Sequence, residues 1–429
     1  MKNNGEKISA VPMRGMRDLL PEEVALRQSI IKKIKEVYTS YGFSEIETPI
    51  VERSELLSTG EGGDNEKQTF SIMKRGQSLD DIKNSSSISD IVDGGLRFDL
   101  TVPLARYYAN NHAQLPSPFK VMQIGNVFRA ERPQKGRYRQ FTQCDIDIIG
   151  DESTLAEREL ILATSEALAR IGFSDFLVRV NDRRILKGIV EYCGYDENER
   201  ELVLVIVDKL DKVGLDGVET ELTEKIPRPE QNSKMTALLR EIMDKGENSD
   251  LFEILPPDID AEVISQLRDL LTTANNQSEG KFRVNFDPTL VRGMGYYTGP
   301  IFEITDKDFP SSIAGGGRYD KMIGKYSSHD VPACGFSIGF ERIISLLVER
   351  GIKPESDIVK KAVIFNADNV SEEFALNLSK IARQDGSIVI TEKQKKNTKK
   401  QLDDLLVSGY GSFCLIDSED DIPEFKEMK

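Results

Sequence analysis

The sequence predicts an α+β fold: a mostly antiparallel sheet interrupted by a helical insertion and followed by a small α/β unit. Three observations carry this. PFKVMQIGNVFRAE and YRQFTQCDIDIIG read as two strands joined by the basic turn RPQKGR, a connection short enough to require antiparallel pairing. From about 183 to 280, charged helical stretches alternate with IPRPEQN and LPPDID, the composition of a mainly helical insertion. Beyond GIKPESD, a linker by composition, residues 358 to 429 alternate strand, helix, strand, helix, strand. At roughly 150 residues per domain, a chain of 429 residues holds two or three domains, here 1–350 and 358–429.

Taken in chain order, Ile30, Ile34, Val37 and Tyr41 recur at helical spacing, so residues 21 to 41 form an amphipathic helix that Gly42 stops. FSEIETPIVE follows with β-branched alternation around Pro49. A proline cannot donate to a ladder, which places it at an edge, a bulge or a subunit boundary. Residues 75 to 95, RGQSLDDIKNSSSISDIVDGG, are rich in Ser, Asp and Gly and read as a mobile, non-catalytic insertion before a strand LRFDLTV. The hairpin comes next, with Gly136 free to take a positive φ in its turn. Thr154 and Glu157 have the spacing of a capping box for a helix running to Gly172. After the helical insertion, KFRVNFDPTLVRGMGYYTGPIFEI and AGGGRYD return to strand-like alternation, and VPACGFSIGFERIISLLVE becomes a helix after Gly339.

Composition removes several function classes. A net charge of −15 opposes a sequence-blind nucleic-acid binder, so any RNA contact must use local basic patches. No run of about 18 apolar residues occurs and MKNNGEKISA has no apolar signal core, so a soluble, cytoplasmic chain is expected. Cys144, Cys193, Cys334 and Cys414 lie far apart, and only His112 and His329 offer imidazole, so no Cys/His metal site is expected. There is no GxxxxGK[ST] loop, which leaves P-loop nucleotide binding unsupported.

Arginines inside apolar strands stand out: Arg129 in NVFRAE, Arg292 in LVRGMGYY and Arg342 in GFERI. A buried guanidinium needs an anion, either a structural carboxylate or a ligand. Converging with Arg137, three such groups suit a triphosphate, which needs several forks at once. Phe141 offers a ring either to a base or to the core. A second set is acidic and aromatic: Asp99 and Thr101, Gln143 and Asp147, Tyr296 and Tyr297. Asp145 and Asp147 share one strand face, either solvated or facing something cationic, while Ile146 and Ile148 turn the other way. Gly315, Gly316 and Gly317 permit close backbone approach in a crowded sheet or direct substrate contact.

These residues resemble the histidyl-tRNA synthetase family of class II aminoacyl-tRNA synthetases over nearly the whole chain. GMRDLLPEE with the first helix and Pro49 resembles the family's first motif, NVFRAERPQKGRYRQF its second and GFSIGFERI its third. LRFDLTVPLARYY, QCDIDIIG, RGMGYYTG and AGGGRYD resemble its histidine-specific peptides. KMIGK superficially resembles a signature of the other synthetase class, but it has no HIGH-type partner. The resemblance implies a class II antiparallel catalytic domain, a homodimer formed through the first motif, ATP with Mg2+, and histidine and histidine tRNA as partners. It implies Arg129 at the α-phosphate and the amino-acid carboxylate, with Arg292 as a second catalytic cation there. Glu131 would read the adenine amino group, Phe141 would stack on the base, and Arg137 and Arg342 would hold the distal phosphates. Asp99, Thr101 and Gln143 would fix the α-amino group. Asp147 and Tyr297 would hydrogen-bond the imidazole, with Tyr296 in support.

Two departures qualify the resemblance. Gly295 replaces the aspartate of the usual RGLDYY, so orientation of Arg292 by that carboxylate is lost. The carboxy-terminal domain resembles a shortened anticodon-binding domain that keeps the cluster Lys393, Lys395, Lys396, Lys399 and Lys400, which serves RNA or is a solvated helix face. The rival expectations are a catalytically silent paralogue regulating ATP phosphoribosyltransferase and a histidine sensor.

Overall fold

The computed structural model describes residues 9–58, 68–132, 137–246, 250–292, 296–309, 311–353 and 359–428. The chain forms two compact units, Met1–Lys353 and Pro354–Lys429. The first is built on an eight-stranded sheet. Its strands run Ser44–Glu45, Phe119–Phe128, Gln140–Ile149, Ala333–Gly339, Ala314–Arg318, Pro300–Thr305, Phe176–Asp182 and Phe282–Phe286 across the sheet. The two outermost pairs are parallel and every pair between them is antiparallel. The expected hairpin is the Phe119–Phe128 and Gln140–Ile149 pair, in register from Phe119 opposite Ile149 to Phe128 opposite Gln140. Its turn, 133–136 with Gly136, lies outside the described residues.

One face of this sheet carries the core. Cys144, Ile146 and Ile148 point into it from the central strand, and Phe302, Phe336 and Ile338 extend it sideways. The first helix, Pro21–Ser40, adds Leu26, Ile30, Ile34, Val37 and Tyr38, and Gly42 at φ +85° turns the chain away in a conformation that costs a glycine little. The helix Leu155–Arg170 packs alongside. Its expected capping box does not form, because Thr154 makes no side-chain cap. Glu157 is taken instead by Arg318, whose Nε and terminal nitrogen donate at 2.6 and 2.9 Å to its two oxygens in the interior. A forked ion pair outcompetes a single N-terminal amide for the same carboxylate.

Residues 75–95 differ from the expected loop. They form the helices Leu79–Asn84 and Ile88–Ile91 and most of the strand Val92–Leu96, which joins Val51–Arg53 and Ser71–Met73 in a three-stranded sheet. The Ser and Asp residues that suggested a loop are helix caps: Ser78 with Asp81, and Ser87 with Asp90, each form a reciprocal box. LRFDLTV is not a strand either. The sheet ends at Leu96, and Asp99 accepts the Val102 N–H at 3.1 Å as the helix Thr101–Asn111 begins.

The insertion contains the helices Arg183–Tyr192, Arg200–Val207, Leu210–Lys225, Pro229–Lys245 and Ala261–Gln277. It is not separately cored, since Ile185, Val203, Leu222, Leu239 and Leu267 belong to the cluster that underlies the main sheet. The second unit alternates as expected. Strands Lys360–Phe365, Ile388–Lys393 and Ser412–Ile416 are parallel, with helices Glu372–Ala382 and Thr398–Val407 between them and a short antiparallel strand Lys426–Glu427 at the edge. Among the described residues, no helix is long and apolar enough to cross a membrane.

Candidate active site

Opposite the core, the main sheet forms the floor of a cavity of about 430 Å³. The period of two along Gln140–Ile149 sends Phe141, Gln143, Asp145 and Asp147 to this side while the intervening apolar residues enter the core. The facing strand contributes Gly335, Ser337 and Gly339, and Arg342 follows in the first turn of the helix Phe340–Glu349. Arg129 and Glu131 leave the end of their strand into the cavity. Asp99 and Thr101 come from the start of the helix Thr101–Asn111, and Arg292, Tyr296 and Tyr297 from the segment between Phe286 and Pro300. All twelve site residues expected from the sequence line this one cavity: Asp99, Thr101, Arg129, Glu131, Arg137, Phe141, Gln143, Asp147, Arg292, Tyr296, Tyr297 and Arg342.

The cavity is electrically divided. One part gathers Arg129, Arg137, Arg292 and Arg342. Burial lowers the pKa of Arg342, and the neighbouring Arg137 and Arg292 lower it further. Burial likewise lowers that of Arg129, whose Nε donates to the Phe98 carbonyl at 3.0 Å and whose guanidinium lies 5.1 Å over the Phe141 ring. Cations crowded in this way favour a bound polyanion. Arg137 makes a 3.4 Å contact with Glu131, whereas Arg342 donates only to the Ser312 carbonyl among the described residues.

Arg292 is differently held. Its Nε donates to Glu303 at 2.7 Å and its terminal nitrogen to Ser312 Oγ at 3.0 Å. Burial acts to lower its pKa, but Glu303, with Tyr297 and Tyr296, holds it above the ordinary value. Glu303, on the neighbouring strand Pro300–Thr305, pairs with Arg292, and Gly295, where the orienting aspartate was expected to be lost, lies outside the described residues. Glu303 was legible only as the one charge in PIFEIT. Gly315 has a direct site role, since a Cβ there would fall on the Arg292 guanidinium. Gly316 and Gly317 serve the sheet, because a Cβ at either would strike the backbone of an adjacent strand.

The other part is acidic and aromatic. Burial pushes Asp147 up to about 7, with Asp99 adding to the rise and a 2.6 Å hydrogen bond from the Tyr319 hydroxyl opposing it. Burial takes Asp99 to about 6 against the Val102 N–H and Arg129. Burial and Asp147 also raise Asp145, and Asp145 and Asp147 are both buried, so they occupy a buried face and not a solvated one. Gly335 is needed here, since a Cβ would meet the Asp147 carboxylate. Tyr319 was missed although AGGGRYD was singled out. Its ring packs edge-on to Tyr296, which lies 4.5 Å from Tyr297 between ring centres. Glu341, also unpredicted, lines the cavity and forms a buried fork with Arg27 at 2.8 Å that ties the first helix to the floor.

Clustered arginines facing buried carboxylates and tyrosines across an antiparallel floor define a class II aminoacyl-tRNA synthetase catalytic domain. The sequence model of the family described as histidyl-tRNA synthetase matches residues 15–343, and the chain belongs to that family. Among its relatives, a histidine–tRNA ligase of Leifsonia xyli is 43% identical over 417 residues, covering 95% of each chain. One from Aeropyrum pernix is 37% identical, covering 87% of this chain and 83% of the other. The crystal structure of histidyl-tRNA synthetase from Nostoc superposes with a TM-score of 0.76 at 28% identity, covering 98% of this chain and 95% of that one. A Bacillus halodurans structure titled as an ATP phosphoribosyltransferase regulatory subunit/histidyl-tRNA synthetase has a TM-score of 0.74 at 21% identity, covering 96% of this chain and 99% of that one, and shares the fold.

Proposed function

We propose that this chain is a histidine–tRNA ligase: it joins histidine to ATP as histidyl-adenylate and passes the histidyl group to the 3′ end of histidine tRNA. The observation that carries this is the division of one cavity between a group of four arginines and the group Asp99, Asp145 and Asp147, which matches a reaction between a polyanion and an amino acid with two basic nitrogen centres. In the first step a histidine carboxylate oxygen attacks the α-phosphorus, and pyrophosphate leaves in line. Arg129 and Arg292 hold the α-phosphate and stabilise the charge that develops on it. Arg137 and Arg342 hold the distal phosphates, Phe141 stacks on the adenine and Glu131 accepts from its amino group. Mg2+ enters with ATP as its counter-ion. In the second step a terminal ribose hydroxyl of the tRNA attacks the carbonyl and AMP leaves.

At the other end, Asp99, Thr101 and Gln143 take the α-amino group, while Asp147 and Tyr297, with Tyr296 behind them, meet the imidazole. The Tyr319 hydroxyl supports Asp147 by donating to it. A site that leaves buried acceptors unpaired when a ring nitrogen is missing discriminates strongly against isosteres. The carboxy-terminal unit acts as an anticodon-arm module. A homodimer in the cytoplasm completes the reading, supported by the exposed Val24, Ile50, Val51 and Met73 around the first motif. Histidine-dependent exchange of pyrophosphate into ATP, followed by charging of histidine tRNA, tests the proposal. Absence of exchange would overturn it in favour of a silent paralogue.

A further inference from the structure

Gln143 is gripped by two neighbours that the reaction above does not use. Its Nε2 lies 3.3 and 3.4 Å from the two Asp145 oxygens and 3.0 Å from Ser337 Oγ, and Ser337 also hydrogen-bonds Asp145. The ladder builds this group. Asp145 sits directly opposite Ser337, and Gln143 is two residues along the same face. Both amide hydrogens are thus directed to one side. The Gln143 Oε1 is shielded from solvent and has no hydrogen-bond partner among the described residues, although Gln143 lines the cavity.

A glutamine amide has two orientations of nearly equal shape, and its surroundings decide between them. Turning this one over would set Oε1 against the Asp145 carboxylate, acceptor to acceptor, and carry the NH2 towards the substrate. An α-ammonium group offers only donors, so the turned amide would repel it. We propose that Asp145 and Ser337 are positioning residues that lock the Gln143 amide with its carbonyl oxygen free, making it a fixed acceptor for the α-ammonium group of histidine. Burial beside Asp147 raises Asp145, and an arriving ammonium favours its ionised, accepting form, so the lock tightens as substrate enters. The inference rests on the reading that Gln143 meets the α-amino group.

The test is pyrophosphate exchange with wild type, Gln143→Ala, Asp145→Ala, Asp145→Asn and Ser337→Ala, using imidazolepropionate, histidine without its α-amino group, as a competitive inhibitor. Asp145→Ala raises the histidine KM by about tenfold, the effect of one well-placed hydrogen bond to a charged group. It leaves the ATP KM unchanged and weakens imidazolepropionate far less than histidine. Asp145→Asn recovers most of the loss, because its Oδ1 still accepts from Nε2, and Ser337→Ala gives a smaller rise in the same direction. If Asp145→Ala does not fold, the Ser337→Ala split between histidine and imidazolepropionate decides alone. Equal weakening of histidine and imidazolepropionate, or an unchanged histidine KM beside a raised one in Gln143→Ala, overturns the lock and leaves the Gln143 reading standing. An unchanged histidine KM in Gln143→Ala overturns the reading and the lock together.

Discussion

Histidine binding should weaken on acidification through Asp147, and Tyr319 should set the pH at which it does. Burial raises Asp147 from 3.8 to about 7, so the folded protein holds a proton there that the unfolded chain has released. The ionised form, the one able to accept from a ring N–H, prevails only above that value. If binding needs it, the apparent histidine KM scales as one plus the ratio of protonated to ionised Asp147. That gives factors of about 1.1, 2 and 11 at about pH 8, 7 and 6. By the same linkage, the stability contributed by the protonated group in the ligand-free protein declines as pH rises between those two pKa values. Tyr319 donates to Asp147 at 2.6 Å and opposes the rise; burial and Asp147 keep its phenol protonated as a donor. Removing the hydroxyl in Tyr319→Phe costs a charge-assisted bond of roughly 1.5–3 kcal/mol, about one to two pKa units. The midpoint should move up by that amount, raising KM at neutral pH by about fivefold or more. The assay is exchange kinetics from about pH 5.5 to 9 on both proteins, reading only their difference, because the free substrate's own titration is common to both. Superimposable profiles would refute the tuning, and profiles offset in parallel would show that Tyr319 contributes to affinity without acting through Asp147.

Three further perturbations follow from the same geometry. Arg292→Ala should reduce exchange by about 10³-fold with the fold intact, and Glu303→Gln by about ten- to a hundredfold with little change in histidine KM, since one removes the cation and the other loosens its aim; near-wild-type exchange in Arg292→Ala would remove it from the mechanism. Glu157→Ala should destabilise the protein by about 2–4 kcal/mol in denaturant unfolding, because Arg318 loses its forked carboxylate and keeps only Asp320 at 3.3 Å and the Asp151 and Ser153 carbonyls; a loss below about 1 kcal/mol would mean that Asp320 takes over the pairing. Replacing Lys393, Lys395, Lys396, Lys399 and Lys400 by Gln should lower the salt slope of tRNA binding by about three units, and not by about five, because Lys393 is paired with Glu372 and Lys395 with Glu392; an unchanged slope would make the cluster a solvated surface.

What the sequence made legible was chemistry carried by residue type in an improbable place. An arginine in an apolar stretch, or two aspartates with the period of a strand, must be explained by something nearby, although none of the three arginines expected inside strands is in one: Arg129 follows a strand, Arg292 lies in a connecting segment and Arg342 in a helix. The residues that escaped notice act through partners distant in sequence. Glu303 reaches Arg292 across 11 positions and Tyr319 reaches Asp147 across 172, pairings that exist only once the strands and their connecting segments are folded together. Local signals also competed. The Ser-Asp spacing of residues 75–95 served two short helices where a loop was expected, while Thr154 and Glu157 had the right spacing for a cap but lost it to Arg318. Spacing states what a residue can do, and the strongest partner in the folded chain decides which possibility is used.

The division of charge explains why so many costly groups are tolerated in one sheet. Four guanidinium groups crowd one part of the cavity and Asp99, Asp145 and Asp147 gather in the other; burial shifts Arg342 and Asp145 most, and like charges add to the shift in both parts. Neutralising either part internally would have been cheaper: Arg318 with Glu157 and Arg27 with Glu341 show the same fold pairing buried charges outright. Among the described cavity residues, Arg292 alone receives such a partner at full strength, and Glu303 takes just its Nε, leaving the rest of the fork for Ser312 and the cavity. On the proposed reading, the unrelieved repulsion is differential binding free energy, recovered when ATP brings negative charge to the arginines and histidine brings positive charge to the carboxylates. Each substrate placed in the wrong half would meet its own sign, so the sheet sets the direction in which the two meet before any specific contact is made.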